Sequence, residues 1–284
     1  MAKCIYCEKA AGFLRKKHPE CEVKNKEKLR LIQEGSSKIT IAALNAIKGT
    51  EKFGSLETTI SEIEKSHSVS IGDRKTLLIK SWENAVEDFL SDGILEKTEE
   101  NRLMDFKEHF FLSQDDLNKN GTLTKTTQAA IVRDILNGLI PERVKIDGNL
   151  PINFQKDEKI VWVFHNSKYL EDKTRRQYVG GSQGVSVRIA KGVYYRTSSF
   201  KGHAVEYTER VHLDTGLLVI TNKNIYFAGS KKSLRLPYGK IVSFEPYGDG
   251  IGIMRDAATA KPQTFVTGDG WFTYNIVINL AQQA

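Results

Sequence analysis

The chain has 284 residues, 40% hydrophobic and 27% charged, an ordinary soluble balance with room for two or three modest domains. No stretch approaches the roughly 18 apolar residues of a transmembrane helix. Glu8-Lys9 and Arg15-Lys16-Lys17 interrupt any signal-peptide core, so a reducing cytoplasm is expected. The net charge of +7, from 42 basic and 35 acidic residues, permits a polyanionic partner without requiring one.

The amino-terminal segment carries all three cysteines. Cys4, Cys7, His18 and Cys21 form the run C-x2-C-x10-H-x2-C. Two close donor pairs separated by a short loop match the needs of tetrahedral Zn2+, and four protein ligands leave no open position for substrate. A structural zinc is therefore expected in residues 1–24, a segment too short to bury a core of its own. Phe13 and Leu14 are candidates to pack over the metal, and Gly12 to make a tight turn. The competing readings are three incidental thiols and redox use of Cys4 and Cys7, which lack the preceding strand of a thioredoxin-like unit. Arg15, Lys16 and Lys17, followed by Lys24, Lys26, Lys28 and Arg30, make this end locally basic and a candidate phosphate contact. Glu20, Glu22, Glu27 and Glu34 alternate with them, as on an ordinary solvated face.

From about residue 25 to 140 the apolar spacing is helical. Leu29, Leu31 and Ile32 begin it, and Ile41, Leu44 and Ile47 follow. Leu56–Ile63 reads as a short helix, and Asp73–Leu90 as the most regular one, with Leu77, Leu78, Trp82, Ala85, Val86 and Phe89 on its stripe. Leu103, Phe106 and Phe110 carry a further helix, and Thr127–Leu139 the last, stopped by Pro141. Short turns between these segments predict a compact bundle. Asp116-Leu117-Asn118-Lys119-Asn120-Gly121 imitates the start of a calcium loop, but Thr127 stands where a bidentate glutamate is needed, so an interhelical turn is expected. Asp92-Gly93-Ile94-Leu95 with Glu99 or Glu100 loosely resembles the small all-helical TerB-like domains over residues 60–140. That resemblance implies helical acidic residues associated with metal, without a residue-by-residue match.

Beyond a linker or leading strand at 141–154 the period becomes two. Ile160–Phe164, Gly184–Ile189, Gly192–Arg196, His203–His212, Gly216–Ile220, Asn224–Ala228, Leu234–Leu236, Ile241–Phe244, Gly250–Met254 and Gln263–Thr267 are candidate strands. Thr221-Asn222-Lys223 signals a hairpin, and Phe272, Ile276 and Leu280 mark a closing amphipathic helix. Short antiparallel strands ending in one helix describe a pleckstrin-homology-like (PH-like) barrel. The strings TGLLVITNKNIYFAG, KIVSFEPYGDGIGIMRD and FVTGDGWFTYNIVINL resemble a recurring bacterial domain of PH-like, GRAM-like strand pattern, over residues 155–281. The resemblance implies a binding or scaffolding platform, with no known reaction.

Two basic clusters in this half are candidate anion sites: Lys173, Arg175 and Arg176, and Lys231, Lys232 and Arg235. His203, Glu206, Glu209, His212 and Asp214 do not assemble convincingly, since an odd step along a strand separates His203 from Glu206. Tyr247-Gly248-Asp249-Gly250-Ile251-Gly252 has no following helix for a dinucleotide phosphate and reads as a tight turn.

The expected architecture is multidomain α+β: a zinc-binding module at 1–24, a helical bundle at 25–140, the linker, and a PH-like β domain with a carboxy-terminal helix at 155–284. The expected function is a non-enzymatic interaction or scaffold protein that binds a protein segment or an anionic surface. One alternative is nucleic-acid binding through the basic zinc tip. The other is a metal-dependent hydrolase in the helical region, for which no Ser-His-Asp order, HExxH helix or P-loop is present.

Overall fold

A computed structural model describes residues 3–12, 15–50, 52–146, 148–179, 187–190, 193–195, 203–258 and 260–284. For 174–179, 187–190, 193–195 and 203–207 it describes the backbone only. The chain divides into two compact units, Met1–Arg133 and Asp134–Ala284.

The first unit is a helical bundle behind the cysteine segment. Helix α1 spans Pro19–Lys48, with Pro19 in its opening turn and Glu20 and Glu22 favourably placed against its positive end. Of the predicted stripe of Ile41, Leu44 and Ile47, Ile47 is buried and Leu44 packs against the core, but Ile41 does not. Gly35, Ile39, Ala43 and Ile47 are buried at four-residue steps, while Ile41 is 56% exposed. The reason is close approach to the second helix, α2 (Gly54–His67): a Cβ on Gly35 would lie 2.5 Å from the Cβ of His67. Gly35 lets the two helices approach closely at that point, and Ile41 is turned away.

Helix α3 (Ile71–Phe89) starts where the Ser70 hydroxyl accepts the Gly72 N–H. It buries Leu78, Trp82, Ala85 and Val86, and the Trp82 indole donates to the Leu103 carbonyl at 3.0 Å. Trp82 is fully buried, so truncating it to alanine would cost roughly 3–5 kcal/mol. Gly93, at φ +87°, turns the chain into α4 (Lys97–His109), which a Glu96/Glu99 capping box opens. The short helix α5 (Gln114–Asn118) was not expected, and α6 begins at Thr122 rather than Thr127 (Thr122–Leu136). The calcium-like segment is therefore a helix–turn–helix joint. Asn118 Oδ1 accepts from both the N–H and hydroxyl of Thr124, and Asp116 pairs with Lys75. The bundle's buried acids are committed to ion pairs, Glu64 with Arg74 and Glu100 with Arg133.

The second unit is a curled antiparallel sheet capped by a helix. Its strands are β1 (Ile160–Val179), β2 (Val187–Ala190), β3 (Val193–Tyr195), β4 (His203–Thr221), β5 (Asn224–Gly229), β6 (Ser233–Pro237), β7 (Ile241–Tyr247), β8 (Gly250–Arg255) and β9 (Gln263–Val266). Seven of them form one sheet in the order β6-β5-β4-β1-β9-β8-β7, and β2 and β3 pair separately. Where the sequence predicts a PH-like barrel of short strands, the structure has a curled half-barrel with β6 and β7 at its ends. Two of its strands are also far longer than expected, 20 residues in β1 and 19 in β4. Bulges explain the difference. Register shifts at Phe164/Ser167 and Tyr169/Leu170, with Asn166 at φ +55°, bend β1 without ending it. β9 pairs with β1 only at Lys168–Glu171, and beyond Asp172 the β1–β4 pair runs on to Val179↔His203.

Tyr169, Phe227 and Phe265 pack with ring centroids 5.2–5.9 Å apart at the centre of the core. Helix α7 (Gly270–Gln283) lays Phe272 against Trp162 and Phe164, and buries Ile276 and Leu280 as the stripe predicted. The glycine run is a tight strand approach, since a Cβ on Gly250 would lie 2.0 Å from the Phe265 carbonyl oxygen.

Two carboxylates tie loops to the sheet. Glu158 accepts from Thr221, Asn224, Tyr226 and the Gln155 N–H. Burial pushes its carboxyl up, but these hydrogen bonds outweigh it and the pKa is lowered. Asp214 accepts from the Lys231 and Lys232 N–H groups at 2.6 and 2.8 Å and from the Thr215 N–H at 2.9 Å. The Lys231 N–H above all holds its pKa below the usual carboxylate range, against the opposing effect of burial. A carboxyl with a lowered folded-state pKa contributes stability above its unfolded pKa and loses it as pH falls through the folded value. Asp214→Ala should therefore lower the urea midpoint at pH 7, and the gap from the parent protein should narrow towards about pH 3. A gap of equal size at both pH values would contradict the ionised role of Asp214.

Candidate metal centre

Residues 3–10 fold back on themselves before any helix forms. Lys3 and Ala10 form an isolated antiparallel bridge, the Cys4 N–H donates to the Lys9 carbonyl at 2.7 Å, and the Glu8 N–H donates to the Cys4 carbonyl at 2.8 Å. Glu8 adopts φ +59° to close this turn, and Gly12 lies at φ +92°. The turn presents Cys4 and Cys7 together. The other two donors come from the start of α1, where His18 is the N-cap and Cys21 lies in the first turn. Phe13 and Leu14 lie outside the described residues.

The ligand atoms of Cys4, Cys7, His18 and Cys21 all lie within 4.8 Å of one another. Among the described residues no other three or more His, Cys, Asp or Glu side chains converge in this way. His18 Nδ1 is 3.5 Å from Cys7 Sγ and 3.7 Å from Cys21 Sγ. Tetrahedral zinc with bonds of about 2.3 Å to sulfur and about 2.0 Å to nitrogen would place those atoms roughly 3.5 Å apart.

The imidazole is oriented for the metal. His18 Nε2 sits 2.9 Å from the Ala10 carbonyl oxygen. A carbonyl can only accept, so Nε2 carries the proton and the Nδ1 lone pair faces the thiols. Burial acts against the Cys4 thiolate, but the N–H groups of Tyr6, His18 and Cys7 outweigh it and bring its pKa down to about 6. The hydrogen bond with Cys7, burial and the neighbouring thiolates push Cys21 up to about 11. Three thiolates crowded together are stabilised by a divalent cation among them. With three sulfurs and one nitrogen at tetrahedral spacing, this is a structural zinc site.

The basic residues are less concentrated than their spacing implies. Arg15 and Lys16 are exposed, but Lys17 bonds Glu22, which also lies 3.7 Å from Lys26. Lys173 is exposed on β1 opposite Glu209. Arg175 and Arg176 pair in register with Tyr207 and Glu206, and their side chains lie outside the described residues, as does that of His203. Lys231 and Lys232 form the β5–β6 turn held by Asp214. Arg235 lies on β6, where it lines a cleft with Lys240 and Arg255, two residues that sequence spacing did not connect to it. His212 bonds Thr215, so it does not join Asp214 in an acid–base pair.

Neither a scan against protein-family models nor a search of curated proteins gives a match. Among the described residues no helix is long and apolar enough to cross a membrane.

Replacing Cys4 and Cys21 together by serine should lower bound zinc below half an equivalent per chain. Elemental analysis of the purified protein measures this directly. Retention of a full equivalent would overturn the ligand assignment.

Proposed function

We propose that this chain is a non-enzymatic interaction or scaffold protein, cytoplasmic and of the PH-like class in its β unit. Structural zinc orders the amino terminus, the helical bundle spaces the two ends, and the β unit binds an extended protein segment. The observation that carries this reading is the open sheet. Among the described residues, β6 and β7 have a strand neighbour on one side only, which leaves backbone donors and acceptors along the other for an added strand. On β7, Val242 is 65% exposed, an apolar contact beside that edge. Seven antiparallel strands followed by one packed helix support the PH-like reading. The zinc site supports a non-catalytic tip, because its four protein ligands complete a tetrahedral shell.

The second reading is nucleic-acid binding by the tip. Its support is the exposed series of Arg15 and Lys16 before α1 and Lys24, Lys26, Lys28 and Arg30 in its first turns.

Panning the full chain against a peptide library should yield extended peptides that protect the β7 amides from hydrogen exchange. Val242→Asp should weaken them at least tenfold. Protection confined to other elements would refute strand addition at β7. Retention of a DNA duplex instead, weakened by salt and by Lys16→Glu, would move the binding function to the tip.

A further inference from the structure

The two ends of the curled sheet come together in a place the sequence did not mark. Strand β6 ends at Pro237, one helical turn covers Tyr238–Lys240, and β7 begins at Ile241 in register with Arg255 at the end of β8. This corner is firmly built. Tyr238 is buried and its hydroxyl donates to the Thr221 carbonyl at 2.8 Å, while the Asp256 N–H donates to the Lys240 carbonyl at 2.9 Å. Between these segments lies a cleft of about 220 Å³ whose lining includes Arg235, Lys240, Ile241, Arg255 and the carboxylate of Asp256.

Three cations therefore line one small cleft, against one carboxylate. Among the described residues none of the three forms an ion pair with a carboxylate. Arg235 interacts with the Tyr226 hydroxyl, and Arg255 acts on Tyr169 only through its field. The Nε–H of Arg255 is buried and has no hydrogen-bond partner. Burying a guanidinium N–H without an acceptor is costly, and converging cations of one sign repel. The repulsion is relieved by one ligand in the cleft, an oxyanion with several acceptor oxygens. The volume accommodates a single tetrahedral group.

We infer that the cleft between the β6–β7 corner and the end of β8 is a phosphate-monoester site, with Arg235, Lys240 and Arg255 as its ligands. Arg255 is the anchor, because it is the least exposed of the three cations that line the cleft. Lys240 and Arg235 supply charge from the rim, where both are exposed. This site is independent of strand addition at β7, and either can fail alone. The monoester can belong to a soluble ester or to a lipid headgroup.

The test is a titration of the full-length protein with inorganic phosphate at low ionic strength, followed by amide NMR. Saturable one-to-one shifts are expected at residues 235–241 and 255–257. Arg255→Gln should weaken the affinity at least tenfold and Lys240→Gln by a smaller factor, while the paired change Lys231→Gln with Lys232→Gln should leave it within twofold. Absence of saturation, or shifts confined to other residues of the parent protein, would overturn the site even if a variant failed to fold. Sedimentation with phosphatidate vesicles in an Arg255-dependent manner would assign the ester to a lipid. Phosphate binding without such sedimentation would assign it to a soluble partner.

Discussion

Three thiols and an imidazole held within a few ångströms of one another are the constraint on which the amino-terminal structure depends. Without a cation, thiolates at that spacing repel, and the raised pKa of Cys21 records part of that conflict. With one, the same four groups become a closed shell. Its consequences reach past the tip. His18 is the N-cap of α1 and Cys21 lies in its first turn, so the metal fixes where the helix starts and in which direction it leaves. Buried residues on α1 begin only at Gly35, and the opening turns have no core to hold them. Zinc linkage supplies stability where hydrophobic burial is missing.

The β unit meets a different requirement by similar means. A long, bent sheet has loops and corners that regular pairing does not hold. Glu158 and Asp214 hold two of them by accepting several hydrogen bonds each, mostly from groups far away in the chain. Lysines placed in a hairpin turn thus owe their position to a buried carboxylate beneath the backbone. The same logic makes the cleft at the β6–β7 corner conspicuous, because there three cations converge and, among the described residues, none forms an ion pair with a carboxylate.

Much of this was legible in the residues. The zinc ligands follow from spacing alone, since no other pattern uses two close cysteine and histidine pairs so economically. Trp82, Val86, Phe106, Phe272 and Ile276 follow from periodicity, because each sits on a stripe with polar neighbours. Where the reading failed, tertiary contact decided. The face of α1 that packs is set by how closely α2 approaches Gly35, which periodicity cannot register. The expected strands stop at Phe164 and break between His212 and Gly216, yet β1 and β4 run on through these points, because each partner strand continues past them. The grouping of Arg235 with Lys240 and Arg255 depends on where a curled sheet ends, so no local spacing reveals it.

The central claim is that Cys4, Cys7, His18 and Cys21 complete the shell of one zinc ion and leave no coordination site for chemistry. X-ray absorption at the zinc edge of the purified protein tests this most directly. The account predicts three sulfur neighbours at about 2.3 Å and one nitrogen at about 2.0 Å. A shell containing a water oxygen, or only two sulfurs, would contradict it.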